Sequence, residues 1–214
     1  MLNRPLAFFI WVYIRIFHRF RCFGAYKVPS TGPVIVVANH GSFIDPGLIA
    51  WNVKRPLFYM GKAELFKNPV LAFLLNLVNT FPVKRNGADR AAMNHSIKLL
   101  NEGKGLCVFP EGTRTLDGKM GTFKSGAAYL ALVTGATMVP VALFGTYQAY
   151  MKGTKRIHLV PFKSVFGDPI KVEKVDQHDI ETLRTRSQEL SDQVKANIQS
   201  MLDEDKEAQD EAVH

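Results

Sequence analysis

This chain has two cysteines, no long apolar run and no acidic residue among its first thirty positions. Cys22 and Cys107 are far apart, and Cys107 falls inside a run that reads as a strand. A disulfide scaffold is thereby excluded, and reduced thiols on a cytosol-facing protein are expected. The apolar stretch Leu6 to Ile14 is broken by Arg15, well short of the ~20 predominantly apolar residues that a membrane-spanning helix needs. Where a signal peptide would show a small-residue cleavage site, Arg19-Phe20-Arg21 stands instead. There is no G-x-S-x-G elbow, which argues against an α/β-hydrolase. No HExxH or Cys/His cluster offers a metal site. Gly112 to Lys119 imitates a phosphate-binding P-loop, but its glycines are one residue too far apart and Met120 replaces the required Ser or Thr. Net charge is +8 and the pI about 9.5. With no zinc-finger spacing, no RNP-like aromatic motif and no basic helix with heptads, that charge does not point to nucleic acid.

At 214 residues, one domain with a sizeable core is expected. The charge is uneven: residues 1–30 carry +5, residues 176–214 carry −7, and the middle holds +10. A basic centre suits acidic ligands such as phospholipid head groups or coenzyme A. The aromatic N-terminal run, followed by Arg15, His18, Arg19 and Arg21, fits a helix lying at a membrane interface. It also fits a helix packed on the core. Residues 203–214 are charged and read as a frayed tail.

The chemistry concentrates after two apolar runs. The first, Val34 to Ala38, reads as a buried strand and is followed by Asn39-His40-Gly41-Ser42-Phe43-Ile44-Asp45-Pro46. Pro46 suits a first helical turn and Asp45 a cap, so a helix should begin there. His40 then stands at a strand end, where open α/β sheets bind ligands. Asp45 is five residues on, the wrong spacing for one helix face. Across a turn, its carboxylate can reach one imidazole nitrogen and leave the other for substrate. With no obvious Ser or Cys nucleophile, the pair reads as a general base acting on a substrate hydroxyl. Ser42 is the one nearby alternative nucleophile. An ordinary turn histidine beside a helix cap would give the same spacing.

The second run, Gly105 to Phe109, leads into Pro110-Glu111-Gly112-Thr113-Arg114. Gly112 permits a backbone shape and approach that a Cβ would block. Thr113 and Arg114 offer a hydroxyl, N–H groups and a planar guanidinium suited to phosphate oxygens. Glu111 would hold Arg114 in place or accept a hydrogen bond from a substrate hydroxyl. Lys62 and Arg85 flank a helical pattern at 69–78 and could add positive charge to one anion site. Strands are expected near 34–38, 57–60, 80–84, 105–109, 137–143 and 157–161, and helices at 46–52, 69–78, 88–102, 123–134 and 178–202. That alternation implies an α/β fold with a mostly parallel central sheet flanked by helices.

Four ordered blocks resemble the glycerolipid acyltransferases, in particular the 1-acylglycerol-3-phosphate (lysophosphatidic acid) acyltransferases. They are NHGSFIDP at 39–46, GKAELF through PVKR at 61–85, FPEGTR at 109–114, and Val139-Pro140-Val141-Ala142. Ala72 and Asn79 stand where the family often has glycine, Lys84 where an acid is common, and Thr115 for the usual serine. Asn79 tolerates the left-handed conformation that ends a helix. The resemblance implies an acyltransferase domain at 28–202, after an interfacial segment at 1–27 and before an acidic tail at 203–214. It implies transfer of an acyl chain from a thioester donor, acyl-CoA or acyl carrier protein, to a lysophospholipid hydroxyl, with no cofactor. His40 and Asp45 would be catalytic, and Lys62, Arg85, Glu111, Gly112, Thr113 and Arg114 would bind substrate. Another lysolipid or glycerol 3-phosphate as acceptor, a hydrolase, or a non-catalytic membrane-binding protein of this fold are the alternatives. The expected location is the cytoplasmic face of a membrane.

Overall fold

The computed structural model describes residues 4–84, 89–151 and 156–211. At its centre lies β2 (Val34–Ala38), five consecutive buried residues. A strand that is apolar at every position must be covered on both faces, and the chain supplies that cover with helices. The strands β1 (Arg21–Phe23), β2, β3 (Leu57–Lys62), β4 (Thr80–Val83), β5 (Gly105–Val108), β6 (Thr137–Phe144) and β7 (Lys163–Phe166) form one sheet in the order β1-β7-β6-β2-β5-β3-β4. Only the β6–β7 pairing is antiparallel.

The helices are α1 (Arg4–Phe17), α2 (Asp45–Asn52), α3 (Pro69–Leu77), α4 (Arg90–Asn101), α5 (Gly126–Thr134), α6 (Thr146–Ala149) and α7 (Ile180–Glu211). Alternate residues of β2 face opposite sides of the sheet. Ile35 and Val37 join a core with Leu100 of α4, Leu130 of α5 and Val194 of α7. Val34, Val36 and Ala38 join another with Ile49 at the inner side of α2. The chain enters α2 from β2 and leaves for β3, then passes through α3 to β4, moving the same way along the sheet. Right-handed crossovers therefore put α2 and α3 on one face and α4 and α5 on the other.

Local sequence explains several ends. Asn68 caps α3 by accepting from the N–H groups of Val70 and Leu71, with Pro69 in the first turn. Asn79 closes that helix at φ 55, the left-handed conformation expected of it. Elsewhere the structure departs from expectation. The last strand is Lys163–Phe166, not 157–161; Ile157 and Leu159 are apolar but exposed, and it is 163–166 that pairs with β6. Strand β1, three residues long and paired only with β7, carries too little pattern to be foreseen. Helix α7 runs on to Glu211 through the stretch read as a frayed tail, held in part by an ion pair between Lys163 and Asp205.

Among its described side chains, α1 packs through Trp11 and Ile14. Trp11 stacks on Trp51 of α2 at 5.8 Å, and Ile14 borders a small core of Phe20, Leu48 and Phe162. His18, fully buried, stacks on Phe162 at 3.9 Å and bonds to the Val160 carbonyl through Nδ1 at 2.9 Å. Phe9, Ile16 and Phe17 of α1 are exposed. No described helix is long and apolar enough to cross a membrane.

Candidate active site

The sheet changes direction at β2 and β5. The chain leaves β2 for α2 on one face and leaves β5 for α5 on the other, so a crevice opens between the carboxyl ends of these parallel neighbours. The rung pairing Val37 with Val108 sets the register. His40 and Glu111 each stand three residues beyond it, so the two loops emerge side by side.

His40 is fixed from both sides. Its N–H donates to Glu111 Oε1 at 2.8 Å, and its carbonyl accepts from the Thr115 N–H at 2.9 Å. Just before it, the Asn39 amide extends the ladder toward β6. Its Nδ2 donates to the Leu143 carbonyl at 3.0 Å, and its Oδ1 accepts from the Leu143 N–H at 2.8 Å. The imidazole stacks on Phe109 at 4.2 Å and is 16% exposed. Nδ1 lies 2.9 Å from Asp45 Oδ2. Nε2 has no partner among the described residues.

Asp45 does not cap α2 as the sequence suggested. Its fully buried Oδ2 accepts from the Ser42 N–H at 2.8 Å as well as facing His40. Pro46 does sit in the first turn of the helix. Ser42 is itself buried, its Oγ shut away from solvent, which removes it as an accessible nucleophile. The thiol of Cys107 is likewise inert: burial, and secondarily the Asp45 charge, push its pKa up. Gly41 sits in a tight place: a Cβ there would come to 3.0 Å from Thr146 Oγ1 and 3.1 Å from the Tyr147 backbone nitrogen.

In the second loop, Gly112 has φ 70, the left-handed conformation that favours glycine. The room for a Cβ is adequate there, with Lys124 Nζ 3.4 Å away, so backbone shape and not crowding demands the residue. Glu111 has a different part from either one expected. Both its oxygens go to backbone amides, Oε1 to His40 and Oε2 to the Gly121 N–H at 2.9 Å. Burial raises its carboxyl pKa, and these two hydrogen bonds only partly offset the rise. Arg114 is half-buried and its guanidinium has no partner among the described residues. Thr113 is exposed beside it. Lys62 ends β3 at the same end of the sheet, exposed and 3.6 Å from Glu64. Arg85 lies outside the described residues. Asn39 adds to what the sequence reading assigned: the motif included it, but side-chain bonds to a distant backbone leave no local signal.

A family model described as acyltransferase matches residues 19–144, more than half of the chain and the stretch that carries both loops. The chain belongs to the acyltransferase family. The acyltransferase is 30% identical over 153 residues to the chloroplastic 1-acyl-sn-glycerol-3-phosphate acyltransferase LPAT1 of Arabidopsis thaliana, an alignment covering 69% of this chain and 43% of that protein. It is 32% identical over 152 residues to a 1-acyl-sn-glycerol-3-phosphate acyltransferase of Limnanthes douglasii, covering 67% and 54%. The chain thus spans about half the length of these curated relatives. The crystal structure of the 1-acyl-sn-glycerophosphate (LPA) acyltransferase PlsC from Thermotoga maritima superimposes with a TM-score of 0.65 at 27% identity. That match covers 92% of this chain and 83% of the other. The four sequence blocks therefore sit on the fold that the family uses.

Proposed function

We propose that this acyltransferase transfers an acyl chain from a thioester to the free hydroxyl of lysophosphatidic acid, giving phosphatidic acid for phospholipid biosynthesis. The carrying observation is the His40–Asp45 pair at the sheet's switch point, with Nε2 unpartnered among the described residues and the neighbouring Ser42 hydroxyl buried. His40 Nε2 takes the hydroxyl proton, and Asp45 holds the opposite tautomer and stabilises the imidazolium. The substrate oxygen attacks the thioester carbonyl. Collapse of the tetrahedral intermediate breaks the C–S bond, and the proton on His40 leaves with the thiol. A thioester is already activated, so no acyl-enzyme, cofactor or metal is invoked. The Ser42 N–H is taken by Asp45, so backbone N–H groups near Gly41 or at the start of α2 are the candidate oxyanion donors.

Arg114 is proposed to grip the acceptor phosphate, with Gly112 and Thr113 beside it and Lys62 and Arg85 adding charge. The donor is acyl-CoA or acyl carrier protein. Exposed Phe9, Ile16 and Phe17 on α1, with Arg15 and Arg19 nearby, are proposed to rest on the cytoplasmic leaflet of an anionic bilayer, where acceptor and product reside. The purified protein, given acyl-CoA and an acceptor panel with membranes present, should release thiol and form phosphatidic acid from lysophosphatidic acid. Free fatty acid as the main product, or equal use of phosphate-free lysolipids, would overturn this reading.

A further inference from the structure

The exposed apolar side chains are not spread evenly over the two faces of the sheet. On one face, α1 exposes Phe9, Ile16 and Phe17, α2 exposes Trp51, and α3 exposes Val70 (68%) and Phe73 (63%). On the other face, α4, α5 and α7 expose only Ile180 among the described large apolar residues. Helix α1 belongs to the first face because Trp11 stacks on Trp51, and α3 belongs to it by the handedness of its crossover. Helix α3 follows β3 at the β4 edge of the sheet, whereas α1 precedes β1 at the opposite edge, so the two bracket the strand that carries His40.

We propose that α3 is a second lipid-contact element, which seats its Val70–Phe73 face in the same bilayer as α1. This rests on the interfacial reading of α1 given above. The occupant is an anionic lipid surface because of the charge around the helix. Between positions 62 and 84 the sequence has Lys62, Lys67 and Lys84 against one acid, Glu64, and all four side chains are exposed. A second copy of the chain docked face to face would bring these lysines against their counterparts, a like-charge arrangement that disfavours self-association. Anionic head groups satisfy the lysines while the acyl boundary takes the Val and Phe side chains. Two apolar contacts on either side of His40 fix the tilt of the protein, so the crevice opens toward the lipid. One contact alone would let it rock.

The test uses the full chain and vesicles of mixed phosphatidylglycerol and phosphatidylcholine. Val70→Asn with Phe73→Asn should weaken vesicle co-sedimentation about tenfold or more, since two apolar side chains lose their burial. Turnover of detergent-dispersed acceptor should not change. In a Cys22→Ser background, Phe73→Cys carrying a polarity-sensitive fluorophore should shift to the blue on vesicles and be quenched by a lipid-borne quencher. This probe decides the matter if the double variant fails to fold. Wild-type vesicle affinity in the double variant, or a Phe73 probe that stays in water, would overturn the proposal. If a Phe9→Asn, Ile16→Asn, Phe17→Asn variant meanwhile loses binding, the reading of α1 stands without it. A wild-type chain that ignores vesicles would instead sink both. A lipid-free dimer dissolved by the α3 substitutions would overturn the proposal in favour of a second copy.

Discussion

Glu111→Gln separates the two parts open to this residue. In the structure its carboxylate bridges the His40 N–H and the Gly121 N–H, at 2.8 and 2.9 Å, and so ties the loop after β2 to the loop after β5. Glutamine can offer an oxygen to only one of these donors and must aim its own NH2 at the other. An orphaned buried N–H costs about 1–3 kcal/mol. Against this, the raised pKa, caused first by burial, shows that the charge is itself held at some expense, and glutamine relieves it. The net loss of stability should therefore lie at the low end, ~1 kcal/mol, or a fall in Tm of about 2–4 °C for a chain of this size. Turnover should suffer more. Misplacing the base by ~1 Å can cost as much as 10²-fold, so kcat should drop roughly 10–100-fold with little change in acceptor KM. A pH effect follows too. A carboxyl whose folded pKa is raised contributes stability that is present below its unfolded value and lost as pH rises through the folded one. The stability gap between wild type and Glu111→Gln should therefore shrink as pH rises through that window. Thiol release under saturating substrates and urea titrations at several pH values measure all three. A rise in acceptor KM with kcat unchanged would refute the bridging argument and return Glu111 to a substrate contact.

His40→Ala should lower turnover by roughly 10²–10⁴-fold while the urea midpoint is retained, and Asp45→Asn should fall in the same range; near wild-type rates in folded His40→Ala would remove it as the base. Arg114→Ala should weaken use of phosphate-bearing acceptors by ~1.5–3 kcal/mol, and Arg114→Lys should restore only part, because a point charge does not reproduce the fork; equal losses with phosphate-free acceptors would contradict the phosphate contact. Gly112→Ala should destabilise by about 1 kcal/mol, since φ 70 is strained for alanine even though space exists; an unchanged urea midpoint would count against that conformation. A chain starting at Tyr26 should unfold and not merely leave the membrane, because it loses buried His18 and Phe20, which circular dichroism and vesicle binding together would show.

The elements legible in the sequence were those whose signal is local. The β-branched run of β2, the Asn68-Pro69 start of α3 and the left-handed Asn79 each carry their reason within a few residues, and each stands where the pattern placed it. The His40–Asp45 contact was legible because a turn is also local. What the sequence hid depends on distant partners. Ile157 and Leu159 look like strand residues, yet pairing with β6 selects Lys163–Phe166, a choice made by the neighbour and not by the segment. Asp45 has the composition of a cap, but the His40 imidazole and a turn N–H claim its carboxylate first. Residues 203–211 look like a tail, yet they continue α7, whose Gln199–Asp203 and Ser200–Glu204 hydrogen bonds span the start of that stretch.

The architecture of the site divides its labour between backbone and side chains in an unusual direction. A general base must be held to a fraction of an ångström, and loops are the least rigid part of a sheet protein. Here two polar side chains beyond the strand ends do what strand backbone can no longer do. Asn39 continues the ladder toward β6, and Glu111 reaches from the end of β5 to the amide of His40. His40 and the residue before it are thus pinned, one to each neighbour of β2, past the last rung of either pairing. Each tie engages backbone, so neither takes up the Nδ1 and Nε2 atoms that the chemistry needs. The imidazole is left with Asp45 on one nitrogen and no partner among the described residues on the other, which is what the proposed general base requires.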